Sequence, residues 1–185
     1  MKDVNGASQL AKLWSRGAEF LGCPHAIMCG AMTWVSERYL VSAISNAGGF
    51  GVIACGSMTP DLLDAEIKAT FELTVKPFGV NLITMHPDLE QLISVCLDNN
   101  VSHVVLAGGL PASSAIKSLK DGGAKVICFA PALVIAKRLV KLGVDALVIE
   151  GSEAGGHIGP VSTSVLVQEI LPVVTDVPVF VAGGI

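Results

Sequence analysis

Residues Ala146-Leu147-Val148-Ile149-Glu150 run straight into Gly151-Ser152-Glu153-Ala154-Gly155-Gly156-His157-Ile158-Gly159. The first part is apolar at every position but its last, with no alternation of wet and dry faces. A strand buried on both sides reads this way, as the strands of parallel sheets do. The second part is rich in glycine, which leaves backbone N–H groups open to close approach. Together they mark a strand of a parallel sheet that ends in a ligand-binding loop.

The same pattern recurs along the chain. Ala26–Gly30, Gly51–Cys55, Phe78–Leu82, His103–Ala107, Lys125–Phe129 and Val179–Ala182 are further short apolar runs. They recur every 20 to 30 residues or so, roughly one strand plus one covering helix. The stretches between them have helical period. Leu40, Ile44 and Ala47 follow a candidate N-cap at Ser36, and Leu89, Leu92, Ile93 and Cys96 follow Asp88. Ile135, Ala136, Leu139 and Val140 form a face that Pro131 can open and Gly143 can close. Val165, Leu166 and Ile170 follow a cap at Thr163 or Ser164. A further helix, over about Ser8 to Phe20, precedes the first run and either plugs a barrel bottom or lies outside it.

Strict alternation of this kind predicts an α/β fold with right-handed crossovers. An eight-stranded barrel and an open doubly wound sheet both fit. A complete barrel needs about 250 residues. Seven runs in 185 residues therefore predict a (β/α)8 TIM barrel truncated after the seventh strand. A single domain is expected over residues 1–185, with a lead-in over about 1–22.

Composition agrees with a buried parallel sheet: 51% of residues are hydrophobic and only 15% charged. The net charge of −4 offers no basic patch, so no nucleic-acid partner is expected. No apolar run is long enough for a membrane span, and the N-terminus has no signal-peptide core. Cys23, Cys29, Cys55, Cys96 and Cys128 include no Cys-x-x-Cys pair. Neither a disulfide framework nor a zinc site is expected, and a reducing cytoplasm is the plain reading. Cys29 and Cys128 fall near strand ends, where a reactive thiol competes with the plainer reading of a small buried apolar residue.

Parallel α/β folds place their ligand sites at the C-terminal ends of the strands. Here those ends are Cys29 to Met32, Ala54 to Gly56, Asn81, Ala107 to Gly109, Phe129-Ala130, Glu150 to His157, and Ala182 to Gly184. Nearly all are small. Such a mouth suits a flat or phosphorylated cofactor that brings its own chemistry. His157 stands at its rim, where a neutral imidazole can take or share a proton near neutral pH. Asn81 ends an apolar run with a polar amide, suited to a flavin ring or a phosphate. Met32 and Trp34 lie in the loop over the mouth, as wall or as packing. Glu153 reads first as a solvated loop charge, and Glu150 as a backbone cap. His25 and His103 fall at the wrong end of their strands, whereas His86 lies in a loop that borders the mouth. Gly48-Gly49-Phe50-Gly51 precedes a strand instead of following one, so it reads as a turn and not as a dinucleotide fingerprint.

Five segments carry a resemblance. They are Gly30-Ala31-Met32-Thr33-Trp34-Val35-Ser36, Ser45 to Gly51, Pro77-Phe78-Gly79-Val80-Asn81, Glu153 to Gly159, and Ala182-Gly183-Gly184-Ile185. In order and content they resemble the nitronate monooxygenase family, formerly called 2-nitropropane dioxygenases. The FMN-dependent enoyl-acyl carrier protein reductases share the same motifs. The resemblance implies a (β/α)8 barrel with non-covalent FMN. It implies that Ala31, Met32, Asn81, Gly155, Gly156, Gly183 and Gly184 line the cofactor and that His157 is the catalytic residue. It implies a small-molecule substrate, first a nitronate oxidised with dioxygen. NAD(P)H-dependent reduction of an enoyl thioester is the alternative, and a flavin-incompetent fragment is a third reading.

Overall fold

Six of the apolar runs form strands because each is flanked by residues that end it and by helices that cover it. The computed structural model describes residues 6–156 and 158–185. Two short helices open the chain, α1 (Gly6–Leu13) and α2 (Ser15–Leu21), followed by α3 (Arg38–Asn46). From there helices and strands alternate: β1 (Gly51–Ala54), α4 (Pro60–Leu73), β2 (Phe78–Ile83), α5 (Leu89–Asp98) and β3 (His103–Ala107). The pattern continues through α6 (Ser113–Asp121), β4 (Lys125–Phe129), α7 (Leu133–Lys141), β5 (Ala146–Glu150), α8 (Thr163–Ile170) and β6 (Val179–Ala182).

All six strands are parallel and lie side by side in chain order. A doubly wound sheet reverses its strand order at a switch point. No reversal occurs here, which excludes the doubly wound alternative. The sheet is a singly wound arc, a half-barrel with two apolar layers. Ile53, Val80, Leu82, Val104 and Leu106 point outward to meet Leu63, Ile67 and Leu92 of the covering helices. Val52, Val105, Ile127, Ala146 and Val148 point inward.

The seventh expected strand is a correction. Ala26–Gly30 forms only a single parallel bridge, Met28 to Phe50. Two hydrogen bonds hold it, Phe50 N to Ile27 O at 2.9 Å and Cys29 N to Phe50 O at 2.9 Å. The segment lies at the sheet margin beside β1, with Ile27 57% exposed. No described strand pairs with its other side, so the ladder stops after one rung.

The expected N-terminal helix is broken at Trp14 into α1 and α2. The end of α2 plugs the bottom of the arc. Leu21 is fully buried against the inward residues, a burial that contributes about 1.5–3 kcal/mol. Phe20 O accepts from Lys125 Nζ at 2.8 Å and pairs with His103 Nε2 at 2.9 Å. His103 Nδ1 pairs with Ser102 Oγ at 2.8 Å, and the rings of Phe20 and Phe50 meet the imidazole edge-on. Burial pushes the His103 pKa down to about 4, which keeps the ring neutral.

The helix caps differ in detail from expectation. Glu37, not Ser36, caps α3: its side chain accepts from Tyr39 N and Leu40 N, both at 3.1 Å. The N-cap of α8 is Ser162, one residue before the expected Thr163 or Ser164. Helix α7 starts at Leu133, two residues after Pro131, and Gly143 follows its C-cap with φ 87°.

Candidate functional site

The C-terminal ends of the strands and the loops that follow them form the mouth of the arc. Its residues come together because adjacent strands end at adjacent registers: Ala54 pairs with Asn81, Asn81 with Val105, and Glu150 with Ala182. Asn81 lies on the inward face and is 5% exposed, with Nδ2 donating to Val105 O at 3.2 Å. In the turn after β2, Thr84 Oγ1 is buried with no hydrogen-bond partner among the described residues. Buried hydroxyls are seldom left unpaired, since burial without a partner costs roughly 1–3 kcal/mol. The Thr84 hydroxyl is thus free to meet a polar group from outside the described chain.

Ala31 and Met32 lie in the loop that precedes α3, and both are exposed. Sequence reading missed what holds this loop. Ser36 is 1% exposed; its Oγ donates to Gly30 O and accepts from Met32 N, each at 3.0 Å. Ser36 O accepts from Ala54 N at 3.0 Å, which ties the loop to β1. Trp34 has φ 65°, a left-handed conformation that costs a side-chain-bearing residue roughly 1–2 kcal/mol. The Ser36 clasp over-determines the turn, and Trp34 projects into solvent at 73% exposure. A serine just before a helix start suits capping, and only its burial shows that Ser36 clasps the loop instead.

The loop after β5 and the end of β6 are locked together. Glu153 Oε2 accepts from Thr163 N at 2.9 Å and from Thr163 Oγ1 at 3.0 Å. Those bonds hold the Glu153 carboxyl below its ordinary value, the Thr163 backbone N–H being the largest cause. Thr163 Oγ1 also reaches Gly183 O at 2.5 Å. Glu153 is therefore a tether and not the free loop charge it first resembled. Two glycines are required here by close approach. A Cβ on Gly151 would fall 2.3 Å from Thr163 N. On Gly183, whose φ is +84°, it would fall 2.8 Å from Ala154 N. Gly155 and Gly156 are exposed and have open space where a Cβ would point, and Gly184 is exposed with φ +74°. The expected cofactor-lining residues thus gather on one face of the fold. His157 lies outside the described residues.

The other candidates resolve plainly. His86 Nδ1 accepts from Asp88 N at 3.1 Å in the loop after β2. His25 packs against Trp14 at the opposite end. Cys128 is fully buried, and burial pushes its thiol up to about 12. Cys29 is half-buried and also raised by burial, its Sγ donating to Gly30 O. Neither is a poised nucleophile. All five cysteines are free thiols. Among the described residues no helix is long and apolar enough to cross a membrane.

A concavity of ≈ 200 Å³ adjoins the mouth, between the first turns of α3 and α4. A larger one of ≈ 350 Å³ lies beside α1, α2 and the outer edge of β6, away from the strand C-termini.

Comparison with known proteins points the same way. A model of the nitronate monooxygenase family matches residues 15–185. The structure of FabK from Thermotoga maritima superposes with a TM-score of 0.88 at 40% identity, covering 92% of this chain and 54% of that one. The (3aS,4S,5R,7aS)-5-hydroxy-7a-methyl-1-oxo-octahydro-1H-indene-4-carboxyl-CoA dehydrogenase of Mycobacterium tuberculosis is 38% identical, over 90% of this chain and 47% of its own length. A probable nitronate monooxygenase of Bacillus subtilis is 32% identical, over 86% of this chain and 57% of its own length. The chain thus spans about half the length of the curated relatives it matches.

Proposed function

Because the chain belongs to the nitronate monooxygenase family, we propose that its half-barrel is part of a (β/α)8 barrel that binds FMN and oxidises or reduces a small molecule. The observation that carries this reading is the mouth itself. Ala54, Ala107 and Ala182 end three of the six strands, Gly156, Gly183 and Gly184 have positive φ, and the buried Thr84 hydroxyl has no partner among the described residues. These features fit a flat, phosphorylated cofactor that meets backbone amides. Ala31, Met32, Asn81, Gly155, Gly156, Gly183 and Gly184 would hold it. When bound, FMN supplies the redox chemistry, as the acceptor and donor of an electron pair.

The chain's own residues supply binding and protons. Asn81 offers an amide to the ring from the inward face. The Gly183 and Gly184 N–H groups serve the phosphate. His157 is proposed to hold or transfer a proton at the substrate.

For the substrate we favour a conjugated acyl thioester reduced at the expense of NAD(P)H. The overall change places two electrons and two protons across the double bond. The thioester, though not the direction of the reaction, is supported by the relative whose name carries a coenzyme A thioester, a dehydrogenase 38% identical, against 32% for the one named for nitronates. Oxidation of a small nitronate with dioxygen is the second reading, favoured by the family description. The test has two stages. Purified enzyme should be yellow, and protein that stays colourless after FMN is added removes the flavin reading. Enoyl thioester with NAD(P)H is then compared with nitronate and dioxygen; turnover of the nitronate alone reverses the choice of substrate.

A further inference from the structure

The concavity beside the mouth has two kinds of surface. Trp34, Met58 and Leu62 give it an apolar wall, and Trp34 and Leu62 are 73% and 53% exposed. Its floor is an ion pair. Glu66, only 7% exposed, accepts from Arg38 N at 2.5 Å, from Nε at 3.0 Å and from Nη2 at 2.5 Å. A guanidinium carries five N–H donors. Among the described residues, none of the acceptors engages Nη1 of Arg38. The cavity also shares Ser36 with the cofactor-facing loop, through its bonds to Gly30 and Met32. A ligand arm lying here is one loop away from the reacting centre.

Size and polarity narrow the occupant. At ≈ 200 Å³ the cavity is smaller than the roughly 300–1,000 Å³ of pockets that take whole ligands. It holds one arm of a ligand. A hydrocarbon tail would strip water from the guanidinium and return no hydrogen bond, which is unfavourable. A nitronate of a few atoms has no arm to place. An arm that carries amide carbonyls and a pair of methyl groups satisfies both surfaces, carbonyl to Nη1 and methyls to Trp34 and Leu62. Glu37 and Glu66 outnumber Arg38 here, so a phosphate at the far end of the arm stays in solvent.

We propose that this cavity is the subsite for the pantetheine arm of an acyl thioester substrate, with Trp34 as its wall and Arg38 as its donor. The inference rests on the thioester reading given above. Free coenzyme A thioesters and carrier-protein thioesters carry the same arm.

The experiment uses the holoenzyme and one enoyl group on three carriers: coenzyme A, acyl carrier protein, and N-acetylcysteamine, which stops short of the methyl-bearing part of the arm. Trp34→Ala and Leu62→Asp alter exposed side chains and should leave the fold intact. KM for at least one of the first two carriers should rise about tenfold, the size of one lost apolar contact of about 1.4 kcal/mol. The larger rise identifies the natural carrier. Turnover of the N-acetylcysteamine thioester should be unchanged. An equal loss on all three carriers, or a change in acyl-chain-length preference alone, overturns the proposal. Pantetheine itself is the second probe. In a Trp14→Phe background it should quench the Trp34 fluorescence of the holoenzyme, and absence of saturable quenching overturns the subsite. If no thioester turns over while pantetheine quenches, the reaction reading fails and the subsite stands.

Discussion

Strand β3 begins at His103, 3% exposed between two aromatic rings, and ends at Ala107, where the chain opens into Gly108-Gly109. The two ends of that one strand represent the two ends of the fold. At the bottom, bulky residues from α2 and the inner face interlock, and both His103 nitrogens have partners. At the mouth, glycines cluster, several of them left-handed, and the buried Thr84 hydroxyl has no partner among the described residues. A packed end and an open end are therefore separated by the length of a strand, and barrels generally keep stability at the first and chemistry at the second. Substitutions at the bottom should act on folding, and substitutions at the mouth on turnover.

The largest effects test that division directly. Phe50 is fully buried in the inner cluster. Phe50→Ala should cost about 3–5 kcal/mol of stability, typical of a buried aromatic truncation, while kcat of the folded fraction stays near the parent. His157→Ala should do the reverse, with an unchanged melt and at least about a hundredfold lower turnover. Denaturant titration and steady-state kinetics on the same preparations decide. A Phe50→Ala protein that folds normally but loses turnover would break the comparison.

The bottom also carries a pH signature. His103 is pushed from 6.5 down to about 4 by burial. Between those values the unfolded chain binds a proton that the folded chain refuses. Its contribution is therefore full above about pH 6.5, declines as pH falls, and levels off near pH 4. The loss should be on the order of 3 kcal/mol. Unfolding free energies measured across this window for the parent and for His103→Gln should diverge, with the shallower slope in the variant. Parallel slopes would show that the imidazole is not held neutral.

The strands were legible in sequence because parallel strands are buried on both faces. Lys125–Phe129 and Ala146–Glu150 could be read residue for residue from apolar content and glycine punctuation. The failures share a cause. Whether Ala26–Gly30 pairs over five rungs or one depends on a neighbouring strand, which local sequence does not encode. Ser36 and Glu37 are both suited to capping, and only the packed loop shows that Ser36 turns inward while Glu37 meets the free N–H groups. The glycines of the mouth could be read as a cradle, but the Glu153–Thr163 tether could not, because its partners lie ten residues apart. The Arg38–Glu66 floor joins two helices and is equally invisible to periodicity.

A smaller effect is expected where the two halves of the mouth touch. Gly183 combines φ +84° with a Cβ position 2.7 Å from Ala154 Cβ. Gly183→Ala should cost at least about 1–2 kcal/mol, the left-handed backbone alone, with the clash against Ala154 in addition. That should weaken FMN binding about tenfold, one decade per 1.4 kcal/mol, because strain at this turn displaces the proposed phosphate-binding amides. FMN titration of the apoprotein measures it. Unchanged affinity would show that Gly183 shapes the loop without serving the cofactor.

The smallest effect distinguishes a tether from a chemical group. Glu153 sits at the mouth, beside the expected catalytic loop, yet its carboxylate is occupied by Thr163 N and Oγ1. Those donors lower its pKa from an ordinary 4.5. A depressed carboxyl stabilises the fold above its unfolded value, and that stabilisation fades as pH falls through the folded one. The side chain is exposed to solvent, so the contribution is modest. Glu153→Gln retains the shape and an acceptor oxygen but loses the charge. It should lower Tm slightly at pH 7, with the gap to the parent narrowing under acid as the parent's own carboxyl protonates. Turnover should stay within a few-fold, and FMN should dissociate somewhat faster, since Thr163 also holds Gly183 O. A loss of turnover as large as that of His157→Ala, with FMN retained and Tm unchanged, would place Glu153 in the chemistry. It would also show that the acidic residue of the mouth is more than the latch between β5 and β6.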